Sequence, residues 1–416
     1  MTGRMWLRHA ASVGLAALVF TVTSCAYSES NYVSRVDITM QPPAATGIPA
    51  PAPALNPTFG GTEPGALVGA VEFDELDPQI TETGATALKI DYLSRDANSP
   101  DPRTVAGAVF IPAGIPPEGG WPILALGHGF TGVYEECAPT NHPNLLGNAL
   151  VVGAFLLNGY AVTMADYVGL GDGSPFPMLD TRSYGYNIVD SVRAIRNVSD
   201  GLSSKWFAFG GSLGGAAVWA ANELATDYGR GLNFLGSVSV SPAADMTGLA
   251  YAASDMSMSS AQRHLYMLEV LALQRTTQPD IELTDYMRGD AFDNRILVQA
   301  CYGSDADRAQ EVLDNLDPKD LVPIDQGAVD RLAGWLSELA LPSRPLSGPL
   351  LLIYASEDDI VDVAWLDKAS SAACALGGTI ESVVRVGQGH GDLDGSPAVP
   401  WVRERFDGFE APNSCP

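Results

Sequence analysis

Residues 207–217 read "FAFGGSLGGAA". Gly210-Gly211-Ser212-Leu213-Gly214 fits G-x-S-x-G, between a short apolar run and an alanine-rich one. Such a serine can attack a carbonyl carbon when the turn carrying it is tight, so the residues two positions away must lack bulk. A serine hydroxyl needs a base to become a nucleophile. The chain holds five histidines. His9 lies near the start, His128 precedes a glycine in "GHGFTG", His142 lies in the polar stretch "CAPTNHPN", and His264 falls inside a helical pattern. His390, in "VGQGHGDLDG", follows the last strand pattern, where a base on a loop at a sheet edge belongs. The imidazole needs an orienting carboxylate. "LLIYASEDDIVD" offers Glu357, Asp358, Asp359 and Asp362 after a buried strand pattern; Asp358 is preferred, with Asp359 the rival.

Acyl transfer through such a triad also needs two backbone N–H groups aimed at the developing oxyanion. Leu213, next to the nucleophile at the helix start, supplies one. The loop after "ILALGHGFTG" supplies the other, with Phe130 the first choice and Thr131 the second.

Strands and helices alternate in a way that would bring these residues together. "GALVGAVEFDEL", "TALKIDYLSRD" and "TVAGAVFIP" have strand character with turn breakers between them. "WPILALGHGF" is a continuous apolar run suited to a strand buried on both faces. Helix "NALVVGAFLLNGY", strand "AVTMADYVGLG", helix "YNIVDSVRAIRNV", strand "KWFAFGG", helix "AAVWAANELATDYG" and strand "FLGSVSVSPA" follow. Such alternation predicts an α/β fold with a mostly parallel sheet. It stops near Ala244. Residues 245–345 read as helices, among them "SSAQRHLYMLEVLALQ", "DADRAQEVLDNL" and "QGAVDRLAGWLSELAL", the last with Val329, Leu332, Leu336 and Leu339 at helical spacing. The sheet pattern returns over 346–416. The core is thus expected over 64–244 and 346–416, with a helical cap between them. Met267, Leu268 and Leu271 are expected to roof an acyl tunnel.

Charge excludes one class of function. The chain has 23 Lys+Arg against 49 Asp+Glu, a net charge of −26, and nucleic-acid binding needs cations against phosphates. Residues 1–24 read as a signal peptide: Arg4 and Arg8, then an apolar stretch from Ala10 to Val22 too short for a stable membrane span. "VTSC" ends it as a lipobox would, which makes Cys25 a candidate for lipidation and predicts export with anchoring to the cell-envelope membrane. Residues 25–63 include the proline-rich "QPPAATGIPAPAPALNP", an extended tether. Setting Cys25 aside leaves Cys137, Cys301, Cys374 and Cys415. An even number in an exported chain suggests disulfides, with three pairings open. No Cys/His spacing suggests a metal site, and none is expected.

The chain order Ser212, Asp358, His390 is that of α/β-hydrolases. "CAPT" at 137–140, "GYAVTMADYVGLG" at 159–171, "SYGYNIVDSVRAIRN" at 183–197 and "FGGSLGGAAVWAANELA" at 209–225 follow one another as in the secretory lipases that include yeast lipase A, which this chain resembles over about residues 64–412. The resemblance implies an α/β-hydrolase core with a helical lid, hydrolysis of carboxylic esters such as lipids, no cofactor, and disulfides pairing Cys137 with Cys301 and Cys374 with Cys415. One departure is the loop "GHGFTG", which lacks the acidic residue of the yeast type. A serine peptidase on this fold, an acyltransferase and a non-catalytic envelope-binding lipoprotein are the alternatives. A peptidase would need carboxylates for a substrate amine, and Glu269, Asp280 and Glu282 are the candidates in the cap.

Overall fold

The computed structural model describes residues 55–99 and 101–416, together with the backbone of two short strands, Val19–Val22 and Ser34–Asp37, which pair antiparallel. Cys25 lies outside the described residues, as do most of the signal segment and tether.

Nine strands form one sheet: β1 Leu67–Glu72, β2 Thr86–Arg95, β3 Pro102–Ile111, β4 Trp121–Gly127, β5 Ala161–Ala165, β6 Leu202–Gly211, β7 Asn233–Val240, β8 Leu350–Ala355 and β9 Ile380–Arg385. Their order across the sheet is β9-β8-β7-β6-β4-β5-β3-β2-β1. The pairings from β9 to β5 are parallel, and those from β5 to β1 are antiparallel. The division follows the connections. The connections from β1 to β2, with one short helix Pro78–Thr81, and from β2 to β3 lead back to antiparallel neighbours, whereas the parallel strands need helical crossovers.

Those helices cover both faces. Thr181–Arg196 and Leu213–Ala225 pack in one apolar cluster, and Ala149–Leu157 and Ala398–Phe406 pack in the other. Central strands buried on both sides read as unbroken apolar runs; Ile123, Leu124, Ala125 and Leu126 of β4 are all buried.

Between β7 and β8 the described chain adds no strand to the sheet. It forms the helices Gly248–Ser254, Ser260–Arg275, Gly303–Asn315 and Gln326–Leu339, with shorter turns between them. Local chemistry sets their starts. Ser259 and Gln262 form a reciprocal capping box, and the Asp325 carboxylate accepts from the Ala328 N–H. The two ends of the block meet at its base, where the Leu341 N–H donates to the Ala244 carbonyl at 2.7 Å. Nearby, Asp245 pairs with Lys368 at 2.6 Å, and the Thr181 hydroxyl donates to the Leu339 carbonyl at 3.2 Å. Leu265, Leu268, Leu332 and Leu336 belong to the same apolar cluster as the helices on one face of the sheet, so the block packs onto the core rather than around a core of its own.

Two disulfides are formed, Cys137–Cys301 and Cys374–Cys415, the pairing that the resemblance implied. The first ties the loop after β4 to the helical block, and the second ties the helix Val363–Ala375 to the C-terminal segment.

Candidate active site

Ser212 stands between β6 and the helix Leu213–Ala225 at φ 55°, ψ −123°. A residue with a β-carbon is strained there by about 1–3 kcal/mol, and the surroundings hold it in place. The Ser212 N–H donates to the Val240 carbonyl at 2.8 Å, and the Ser212 carbonyl accepts from Ala216 and Ala243. The flanking glycines have a steric cause. A β-carbon on Gly214 would lie 2.1 Å from the Gly127 carbonyl oxygen, and one on Gly210 would lie 2.4 Å from the Gly214 carbonyl oxygen. Gly127 and Gly210 are register partners on adjacent strands, so three backbones converge beneath the serine.

The other candidates arrive from the carboxyl ends of parallel strands, where open α/β sheets place their ligands. Phe130 and Thr131 follow β4, Asp358 follows β8 and His390 follows β9. The Nδ1 of His390 lies 2.8 Å from Asp358 Oδ2 and 3.0 Å from Oδ1. Asp358 Oδ1 also accepts the N–H groups of Ile360 and Val361 at 2.9 and 2.8 Å. Burial pushes this carboxyl up, but the hydrogen bond and charge of His390 and the two N–H groups outweigh it and hold Asp358 below the usual carboxylate range. Asp359 is exposed. The acid bonded to the imidazole is therefore Asp358, and its loop geometry needs the neighbouring backbone as much as the histidine.

The three other described histidines face backbone carbonyls: His128 those of Gly129 and Asp166, His142 that of Glu136, and His264 that of Val298. Burial lowers His128 to about 4, against the pull of its two carbonyl partners.

Ser212, Leu213 and Phe130 line one apolar cavity of about 20 Å³, together with Leu179, Leu265 and Ile360. Leu213 opens its helix, so its N–H has no partner within the helix. Thr131 has a buried hydroxyl with no hydrogen-bond partner. The helix Ser260–Arg275 contributes Ala261 and Leu265 to this cavity, rather than the Met267 and Leu271 expected as its roof, while Leu268 lines a second cavity of about 390 Å³. Helix direction explains the shift: on a 3.6-residue period, 261 and 265 share a face that 267 and 271 do not.

Several polar groups around the site escaped the motif reading. Asp166, fully buried after β5, accepts the Thr140 hydroxyl at 2.5 Å and the Thr140 N–H at 3.2 Å. Gln262 of the helical block donates to the Ile360 carbonyl at 3.1 Å and so ties its helix to the loop that carries Asp358. Glu269 is buried, not solvated as a cap acid would ordinarily be, whereas Asp280 and Glu282 are exposed. The one sequence signal for Glu269 is its isolation among apolar residues in "YMLEVLALQ".

A nine-stranded, mostly parallel sheet with this topology, helices on both faces, and a serine at a strained strand-to-helix turn is the α/β-hydrolase fold. Residues 145–280 match the family model described as Secretory lipase. The chain is 23% identical over 377 residues to a Mycobacterium tuberculosis protein named "Probable inactive lipase", a match covering 83% of this chain and 79% of that one. Among solved structures it is similar to Candida antarctica lipase A in its closed state, with a TM-score of 0.66, 19% identity, and coverage of 85% of this chain and 84% of that one. It is also similar to the rice cell wall degrading esterase LipA from Xanthomonas oryzae, with a TM-score of 0.61, 19% identity, and coverage of 80% and 94%. At these identities the two structures speak for the shared fold.

Proposed function

We propose that the chain is an exported serine hydrolase of carboxylic esters. The observation that carries this reading is the Asp358–His390 hydrogen bond on the loops after two parallel strands of the sheet that also carries Ser212, held at positive φ and lining a cavity with Leu213 and Phe130. His390 Nδ1 is engaged by Asp358, so Nε2 is the nitrogen that takes the Ser212 proton as Oγ attacks the ester carbonyl. The tetrahedral oxyanion is stabilised by the Leu213 and Phe130 N–H groups. Collapse breaks the bond to the alcohol, which leaves with the proton from His390. Water, deprotonated by the same imidazole, then releases the acid and regenerates Ser212.

The relative named inactive does not transfer that property by fold alone, because activity resides in site residues, and this chain holds serine, aspartate and histidine at the three positions. The cavity beside Ser212 admits little more than one water molecule, so substrate entry requires the helical block 245–345 to move as a lid. Upstream, a signal segment over 1–24, lipidation at Cys25 and the tether over 25–63 would hold the enzyme at the envelope membrane, and mass spectrometry of the mature N-terminus tests this.

The decisive experiment pairs a fluorophosphonate probe with p-nitrophenyl ester turnover. Wild-type protein labels at Ser212 and hydrolyses esters. Ser212→Ala, folded by circular dichroism, neither labels nor turns over, with kcat down roughly 10⁴-fold or more. A wild-type protein that fails to label, or a mutant that keeps its turnover, refutes the assignment.

A further inference from the structure

The helix Ser260–Arg275 carries one carboxyl that this mechanism does not use. Glu269 is 1% exposed, and among the described residues neither of its carboxyl oxygens has a hydrogen-bond partner. Buried polar side chains are nearly always partnered, and an orphan costs the desolvation of the group with nothing in return. Its neighbour Asp180 is different: one oxygen accepts Asn98 Nδ2 and the Ser183 hydroxyl at 2.7 and 2.6 Å, and the other accepts the Ser183 N–H.

The place of Glu269 suggests what meets it. On its own helix, Leu265 lines the Ser212 cavity, and Leu268 and Ala272 line the larger one. Glu269 follows Leu265 by one turn and Leu268 by one residue. On the facing segment, Met178 and Leu179 line the Ser212 cavity and Phe176 the larger one. Asp180 and Tyr184, which continue that segment, are the groups electrostatically coupled to Glu269. The orphan carboxyl therefore belongs to the helix, and is coupled to the segment, that supply walls to both cavities, although it lines neither itself.

We infer that Glu269 is a specificity-determining residue, and that its carboxyl hydrogen-bonds a hydroxyl or carbonyl oxygen borne by the acyl chain beyond the reacting ester. This rests on the ester-hydrolase reading above. Burial, and then the charge of Asp180, push Glu269 far above the usual carboxylate range, so the group is a neutral acid that both donates and accepts. A neutral acid on a helix whose Leu265 and Leu268 form apolar cavity walls suits a neutral oxygen. A cationic amine would have to be desolvated against those same apolar walls.

The test measures kcat/KM for p-nitrophenyl octanoate, the positional series of its monohydroxy derivatives, and the ω-amino derivative. Wild-type, Glu269→Gln and Glu269→Leu proteins are compared, each checked for a cooperative thermal melt. Wild-type protein should favour at least one hydroxylated chain over the plain chain by about tenfold, and Glu269→Leu should reverse that ratio, because a site built for a hydrogen bond discriminates against its absence. Glu269→Gln, which keeps a donor and an acceptor, should retain the preference. Equal ratios in wild-type and Glu269→Leu proteins overturn the inference, as does a stronger preference for the amino chain. Acetate ester turnover by the wild-type protein separates the two levels. If it is absent, the hydrolase reading itself fails and takes this inference with it; if it is present with unchanged ratios, only the role of Glu269 fails.

Discussion

Asp358 and Asp359 are adjacent acids of equal charge, yet one is bonded to an imidazole and two N–H groups while the other faces solvent. The bond to His390 Nδ1 requires that nitrogen to carry the proton, so the acid fixes the tautomer that leaves Nε2 basic. Asp358→Asn should lower kcat by about 10⁴-fold through the wrong tautomer. Asp359→Asn should change it by less than about threefold, since an exposed acid without a partner there has little to lose. Steady-state kinetics on one ester measures both, and a larger effect at Asp359 would move the assignment.

Elements, rather than single residues, set the precision of the site. The turn that carries Ser212 works because β4, β6 and the following helix approach one another through Gly127, Gly210 and Gly214. Gly214→Ala places a methyl group 2.1 Å from a backbone oxygen. Something must shift, and overpacking of this kind costs about 1–3 kcal/mol or more. Thermal denaturation should show the loss, and ester turnover should fall further than stability does because the serine itself moves. At the cap, Leu265 reaches the cavity beside Ser212. Each buried methylene of an acyl chain contributes about 0.8 kcal/mol, so Leu265→Trp should shorten the preferred acyl chain in a p-nitrophenyl ester series. An unchanged chain-length profile would place the acyl chain elsewhere. The Gln262 bond to Ile360 adds a consequence: a movement that carries the start of this helix away also removes a contact from the loop that carries Asp358.

Across the whole molecule, buried acids shape the response to pH. Burial pushes Asp166 up to about 7, against two bonds from Thr140. It pushes Asp190 up to about 6 despite Arg193, Ser94 and Tyr228, and Glu223 up to about 7 despite Ser343 and Arg344. Their unfolded values lie near 4. Between about pH 4 and 7 these three acids bind more protons folded than unfolded, and their contribution falls as pH rises through that window, against the opposite and smaller pull of buried His128 and His264, both lowered by burial. Asp358 and Asp245 act oppositely; both are held below the usual range and lose their contribution only at more acid pH. A net charge of −26 adds self-repulsion on the alkaline side. The melting temperature should be highest near pH 5 and lower by roughly 5 °C or more at pH 8. A melting temperature that rises from pH 5 to pH 8 would contradict this account of the buried acids.

The sequence by itself determined the α/β alternation, the helical interruption after Ala244 and the G-x-S-x-G turn, because each is a local pattern. A 2-residue or 3.6-residue period, or glycines two places from a serine, depends on chain neighbours alone. The position of His390 after the last strand was legible for the same reason, and the disulfide pairing was legible through the family likeness in "CAPT" and its flanks. Only the tertiary structure decided which groups lose their water. Glu269 and Glu282 are both acids of the helical block; the apolar neighbours of Glu269 hint at burial, but nothing local says that its carboxyl is buried without a partner among the described residues. The same holds for Asp166, whose partner Thr140 lies 26 residues away, and for Leu265 rather than Met267 at the cavity. Burial is set by what the rest of the chain packs against a residue, and that long-range fact carries no periodicity in the sequence.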